Sequence, residues 1–123
     1  SVSMLTVADS APIYSITVDM SATHAHVADL LVQLEAPDGT FLTLADRAGG
    51  NAANFMDAGF DDSASGPIPT TLRQVTGMFL PVSQLGVLRG AAMAGTWKLW
   101  VTDKAGVRTG VLTQWSLLIT PQV

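Results

Sequence analysis

Gly95-Thr96-Trp97-Lys98-Leu99-Trp100-Val101-Thr102-Asp103 carries a large apolar residue at every second position. That period of two restricts the segment to a strand with one buried face. Trp97, Leu99 and Val101 fall on one side, and Lys98, Trp100 and Thr102 on the other. Val111, Thr113, Trp115, Leu117 and Ile119 alternate in the same way, so Asp103 to Gly110 reads as the connection of a hairpin. Leu30, Val32 and Leu34 share a face in a third alternating run. Pro37-Asp38-Gly39 then turns the chain, Pro setting φ at the corner and Gly accepting positive φ, and Phe41-Leu42-Thr43-Leu44 returns. Residues 30 to 44 are therefore expected to form a hairpin. Ile13 to Val18 is a further β-branched and aromatic run.

Between these runs the chain is punctuated by Gly, Pro, Asn and Asp. Residues 46 to 77 read as loop-rich, with a short strand from Asn54 to Phe60. Pro81 to Leu88 has room for one helical turn, and no other segment keeps helical spacing. The first dozen residues read as partly linker, because Ala8-Asp9-Ser10-Ala11-Pro12 interrupts the pattern. Short strands with turn signals and almost no helix predict an all-β chain, a single antiparallel β-sandwich spanning residues 1 to 123.

Composition supports a packed core and excludes several function classes. The chain is 48% hydrophobic and only 13% charged, the reverse of a disordered segment. No apolar run is long enough for a membrane span, and nothing resembles a signal peptide, which suits a piece excised from a longer secreted precursor. The six basic residues are scattered and the net charge is −4, which argues against nucleic-acid binding. With no cysteine there are no disulfides or thiolate metal sites. Of the acids, Glu35 is the one Glu and all the others are Asp. Asp favours turns and hard-cation loops, so calcium is the first cofactor to expect.

No catalytic constellation stands out. Ser63 and Ser83 lack the Gly-x-Ser-x-Gly elbow of a hydrolase nucleophile. Asp61 and Asp62 are adjacent, but no second acid is placed to complete acid–base chemistry. His24 and His26 would point the same way on a strand and, with Asp29, could bind a transition metal. A third ligand is not evident, so a structural role is the better reading. Asp46, Asn51, Asn54, Asp57, Asp61, Asp62 and Asp103 make the oxygen-rich inventory for calcium. Since no EF-hand loop is present, such a site must be assembled from separate segments. The competing reading is that these Asp side chains cap turns, Asp29 most of all. Trp97 and Trp115 are expected in the core with Leu30, Leu42, Leu99 and Leu117. Alternation sends Leu31, Phe41, Trp100 and Leu118 outward, where a cluster would suit a partner surface.

His24-Ala25-His26-Val27-Ala28-Asp29-Leu30-Leu31-Val32-Gln33-Leu34-Glu35-Ala36-Pro37-Asp38-Gly39-Thr40, Asp46-Arg47-Ala48-Gly49-Gly50, Phe60-Asp61-Asp62, the Gly95 to Asp103 segment and Gly110-Val111-Leu112-Thr113-Gln114-Trp115-Ser116-Leu117 occur in that order. Together they resemble the P domain, or Homo B domain, that follows the catalytic domain in proprotein convertases and many bacterial secreted proteases. The resemblance covers roughly residues 14 to 120. It departs at Ala28, where the family has Gly, and at Asn51-Ala52-Ala53-Asn54-Phe55, which replaces a more acidic segment and removes a possible calcium ligand.

The resemblance implies a jelly roll of about eight strands without an active site. It implies calcium at Asp46, Asp61, Asp62 and Asp103, which match motif positions. It also implies an accessory role: packing on the catalytic domain of a subtilisin-like serine protease or metalloprotease, supporting its folding and stability, and helping to select protein substrate. The setting implied is extracellular, periplasmic or cell-surface. A binding module for carbohydrate or protein, with Trp100 and Phe41 as stacking platforms, is the competing class.

Overall fold

The alternating runs at residues 30–35 and 95–103 become adjacent strands of one sheet. In a computed structural model, residues 2–105 and 111–122 are described, and they form eight strands. These are β1 (Val2–Val7), β2 (Ile13–Thr23), β3 (Leu30–Glu35), β4 (Phe41–Asp46), β5 (Phe55–Phe60), β6 (Val75–Phe79), β7 (Gly95–Asp103) and β8 (Val111–Pro121). One sheet has the order β1-β7-β3-β4 and the other β6-β5-β2-β8. Short 3₁₀ turns at Val27–Asp29 and Leu85–Leu88 are the helical content among the described residues.

The hairpin over residues 30 to 44 forms as expected. β3 and β4 pair antiparallel, and Gly39 N–H donates to Ala36 O across the turn at 2.9 Å. The second expected hairpin does not form. β7 pairs with β1 and β3, whereas β8 pairs with β2 in the opposite sheet. Both strands carry a strong inward stripe, and each satisfies it best on a different layer of the sandwich. The connection from Asp103 therefore crosses between sheets, and its residues 106–110 lie outside those described.

Two strands lie where the sequence predicts loop or linker. Val2–Val7 is the edge strand β1, paired with Trp100 through Gly95. Val75–Phe79 is β6, which runs parallel to β5, so the sandwich is not purely antiparallel. Each has a weak periodic signal because an edge strand packs on one neighbour only.

The core is filled where the alternation places it. Val32, Leu34, Trp97, Leu99, Val18 and Phe60 are fully buried between the sheets. The Trp97 indole N–H donates to Met93 O at 2.9 Å, so the buried ring leaves no polar group unpaired. Trp115 is only half-buried, packed against the rim of this core.

Beside Ser21 the register of β2 slips against both neighbours, against β5 between Ala58 and Phe55 and against β8 between Gln114 and Leu112. Asp57, at φ 47°, sits in the first slip, and its N–H donates to Ser21 Oγ at 2.8 Å. The second slip turns Leu112 inward and leaves Val111 and Thr113 exposed, one residue out of phase with simple alternation.

Candidate functional site

At the end of β2 the chain leaves the sheet, and His24 turns into the interior, where its side chain is wholly buried. The His24 backbone N–H donates to Asn54 Oδ1, and Asn54 N–H returns a bond to His24 O, both at 2.9 Å. The His26 backbone N–H donates to His24 Nδ1 at 3.0 Å. Since Nδ1 must accept there, Nε2 carries the proton and donates to Asp103 Oδ2 at 3.0 Å. His24 thereby ties the end of β2 in one sheet to the end of β7 in the other. His26 and His24 do not lie side by side on a strand; His26 Nδ1 instead donates to Asp29 Oδ1 at 3.0 Å.

Ligand atoms of His24, Asp29 and Asp103 approach within 4.8 Å of one another, the geometry of a three-ligand cluster. Both imidazole nitrogens of His24 are nevertheless engaged by the protein. The ring offers no lone pair to a substrate or proton donor, which suits a clasp rather than a general base.

The four acids expected at calcium do not converge. Asp46 and Asp103 sit at one end of the first sheet, flanking the start of β3 through the pairs Leu31–Asp46 and Leu30–Asp103. Asp61 and Asp62 follow the far end of β5. Asn54, beside His24, precedes that strand of six residues, about 20 Å of extended chain. Asp61 accepts from the Thr17 hydroxyl, from Ser63 N–H at 2.8 Å and from Ser63 Oγ at 2.7 Å. The Ser63 and Thr17 bonds hold its carboxyl below the usual Asp range. Asp62 accepts from Leu85 N–H at 2.9 Å and Gly86 N–H at 2.7 Å, holding the 3₁₀ turn against β5. Asp46 faces Arg47 Nε at 3.0 Å, with both side chains exposed. As a set these four carboxylates do not fit one calcium ion.

Of the outward apolar residues, three share a face. β3 lies between β7 and β4, and it places Trp100 opposite Gln33 and Phe41 opposite Glu35. The Phe41 and Trp100 rings lie 6.3 Å apart, tilted by 37°. Trp100 Nε1–H donates to Glu35 Oε1 at 2.9 Å, fixing the indole on the sheet surface. Leu31 is two residues before Gln33 on the same face and is half-buried. Leu118 lies on β8, on the outer surface of the other sheet, and cannot join them. The expected patch of four is thus a patch of three. Glu35, the single Glu, is a member that alternation alone did not single out.

A second acidic place was not anticipated. Asp19, Asp57, Gln114 and Trp115 line a hollow of about 450 Å³ on the second sheet. Burial, and then the nearby Asp57 carboxylate, push the Asp19 carboxyl above its ordinary range. The two acids lie together because the slip beside Ser21 sets the register of β2 against β5 and β8.

The proprotein convertase P-domain family matches residues 13–119. The chain belongs to that family. Two solved structures share its fold. A serine protease of Aeromonas sobria superposes with a TM-score of 0.63 at 23% identity, over 98% of this chain and 23% of that one. The serine protease of that organism in complex with a chaperone gives 0.60 at 22% identity, over 96% of this chain and 22% of that one. The chain thus spans under a quarter of the length of either. No curated protein gave a significant match.

The P-domain pattern now has a physical content. The Gly of its Gly-Thr-Trp block is Gly95, at φ 131°, and a side chain there would meet Pro37 of the hairpin turn. Two ordered blocks of the pattern, far apart in sequence, are in van der Waals contact.

Proposed function

We propose that this P domain is a noncatalytic accessory domain of a secreted protease, subtilisin-like or metal-dependent, that packs on the catalytic domain and stabilises its folded state. The observation that carries the reading is the family match over residues 13–119. The engaged nitrogens of His24 agree with a domain that does no chemistry of its own. A partner that binds only the folded catalytic domain raises its stability by mass action. The docking face of this proposal is the Leu31, Phe41 and Trp100 surface, with Glu35 holding the indole in place. An aromatic pair fixed on an exposed sheet is the kind of anchor that carries interface energy. Selection of protein substrate would follow from the same attachment.

Calcium, the cofactor implied by the resemblance, has its best remaining place at Asp29 and Asp103. Those two carboxylates meet there beside His24. When bound, the ion would add a cross-link between the 3₁₀ turn before β3 and the end of β7.

The reading is tested on the full-length parent protein. Expression with and without residues 1–123, and with Trp100→Ser, is expected to give progressively less folded, active protease as the contact is weakened. A catalytic domain with unchanged folding yield and melting temperature in the absence of this domain would overturn it. Retention on insoluble polysaccharide, with no effect on a protease, would favour a carbohydrate module instead.

A further inference from the structure

The Leu85–Leu88 3₁₀ turn is pinned at both ends against its neighbours. At its beginning the Leu85 and Gly86 N–H groups donate to Asp62 Oδ1 and Oδ2 at 2.9 and 2.7 Å. Just past its end Gly90 N–H donates to Ile13 O at 2.8 Å, and Ile13 N–H donates to Ala91 O at 2.9 Å. Where the turn stands beside the start of β2 there is a hollow of about 250 Å³, lined by Tyr14, Ile16, Leu85, Arg89, Asp61 and Asp62. Ile16 and Leu85, both buried, are its apolar members.

The hollow carries both signs of charge without an ion pair to cancel them. Arg89 follows the turn, and its guanidinium carbon lies 4.2 Å from the centroid of the Tyr14 ring. Among the described residues no carboxylate pairs with that guanidinium. Stacking on the ring fixes the plane of the fork and leaves its N–H edge to an acceptor. The acids in the same hollow are spent on other donors. Asp61 accepts from the Thr17 hydroxyl and twice from Ser63. Asp62 accepts one N–H at each oxygen, and a carboxylate has about four lone-pair sites, so it keeps capacity for a further donor. From Gly86, which Asp62 holds, to Arg89 the 3₁₀ backbone rises about 6 Å.

We propose that this hollow binds an α-carboxylate together with its neighbouring N–H group, the chemistry shared by the C-terminal residue of a peptide and a free amino acid. The carboxylate takes the Arg89 fork, whose geometry matches it in a bidentate way. The amide N–H or ammonium donates to Asp62, and the side chain lies against Leu85 and Ile16. Charge excludes other anions: phosphate or sulfate would satisfy Arg89 but bring a second negative charge against Asp61 and Asp62. Size excludes long ligands, since the hollow falls below the about 300–1,000 Å³ of ordinary small-molecule pockets. Holding the guanidinium on Tyr14 before the ligand arrives lowers the ordering cost of binding. The site is on β2 and its flanking turn, away from the Trp100 face, and goes beyond the accessory role proposed above. Peptide hydrolysis leaves a free C-terminus, so beside a protease the hollow would hold cleaved product.

The test titrates N-acetyl-leucine, leucine, N-acetyl-leucinamide and inorganic phosphate into isotopically labelled protein and follows amide chemical shifts. Saturable shifts at Tyr14 to Ile16 and Leu85 to Arg89, with a Kd below roughly 5 mM, are expected for the two carboxylates. The amide, which lacks the carboxylate, and phosphate, which lacks the N–H, should each bind at least tenfold more weakly. Tighter binding of N-acetyl-leucine than of leucine assigns the site to peptide C-termini, and the reverse order assigns it to free amino acids. Arg89→Gln, at an exposed position, should weaken binding at least tenfold while leaving the melting temperature unchanged. Tyr14→Leu should weaken it through loss of the stacking face, and Tyr14→Phe should bind as wild type. Trp100→Ser should also bind as wild type, so failure of the accessory reading and failure of this one are distinguishable. The proposal is overturned by shifts elsewhere, by no saturation, by equal affinity for the amide or for phosphate, or by an Arg89→Gln protein that binds as wild type.

Discussion

Replacing Gly95 by Ala probes the joint between the hairpin turn and β7. Gly95 has φ 131°, and a Cβ there would lie 2.6 Å from Pro37 Cβ and 3.1 Å from Pro37 Cγ. Two costs arise together. Holding a non-Gly residue in that sparsely populated backbone region costs about 1–3 kcal/mol. Forcing a methyl into occupied space costs about 1–3 kcal/mol more. The expected loss is about 2–6 kcal/mol, a large share of a typical domain stability of about 5–15 kcal/mol. Pro37→Gly separates the two terms, because it removes the carbons in the way while the backbone demand at residue 95 remains. Alone it should cost about 0.4–1 kcal/mol through the freer unfolded chain. In the double variant the overlap vanishes, so it should be more stable than the sum of single effects by about 1–3 kcal/mol. Urea unfolding with midpoints at constant slope measures all four proteins. A Gly95→Ala loss under about 0.5 kcal/mol, or a double variant additive within about 0.5 kcal/mol, would refute the reasoning.

Other outcomes follow from single contacts. Trp97→Phe keeps an aromatic ring in the core but strips the donor from Met93 O. A loss of about 1–3 kcal/mol is expected from the orphaned carbonyl, plus a cavity term, and an unchanged unfolding midpoint would count against it. Asp61 and Asp19 should respond to pH in opposite senses. The folded carboxyl of Asp61 is lowered by Ser63 and Thr17, so its stability contribution is present above the unfolded value of 3.8 and is lost as pH falls through the folded one. The folded carboxyl of Asp19 is raised, so its contribution is present below 3.8 and lost as pH rises through the folded value. Thermal melts from pH 2.5 to 7 should therefore show Asp61→Asn flattening the acid limb. Asp19→Asn should raise the melting temperature at pH 7 but not at the acid end, and the opposite pattern would contradict both assignments. If calcium binds at Asp29 and Asp103, excess chelator should lower the melting temperature of the wild type and leave Asp103→Asn unaffected; no shift in the wild type would remove the ion as a stabilising feature.

The fold was legible wherever a strand is central and two-sided in its demands. β3 and β7 each bury one full stripe between two neighbours, and their alternation in sequence is correspondingly clean: Leu30, Val32, Leu34, and then Trp97, Leu99. Edge strands were not legible. In β1 no residue is fully buried, so selection for a stripe is weak and Val2 to Val7 resembles a linker. In β6 the pattern is interrupted by Gly77 at φ 116°. Pairing was less legible still. Two alternating strands joined by a turn-rich connection read as a hairpin, yet the sequence pattern contains no term for which layer each strand joins. That choice depends on β1 and β2, which bracket β7 and β8 from the far end of the chain.

The candidate site divides along the same line. Local chemistry was readable in part: Asp61 caps the turn after β5 through Ser63, the behaviour that competes with any cation, whereas Asp62 accepts from Leu85 and Gly86, 23 and 24 residues further on. Nonlocal chemistry was not. His24 and Asp103 are 79 residues apart, one just past the end of β2 and the other the last residue of β7 in the opposite sheet, and nothing in either segment announces the other. Their bond exists because β2 and β7 end at the same pole of the sandwich, a consequence of the full strand order. A buried imidazole with both nitrogens engaged is intolerant of substitution, since any change at His24 removes the donor to Asp103 Oδ2 or the acceptor for the His26 N–H. His24→Leu should therefore destabilise the domain more than Asp103→Asn, which keeps an acceptor at 3.0 Å from Nε2. Unfolding midpoints in the reverse order would show that the carboxylate charge, rather than the continuity of the hydrogen-bond chain, holds the two sheets together at this end.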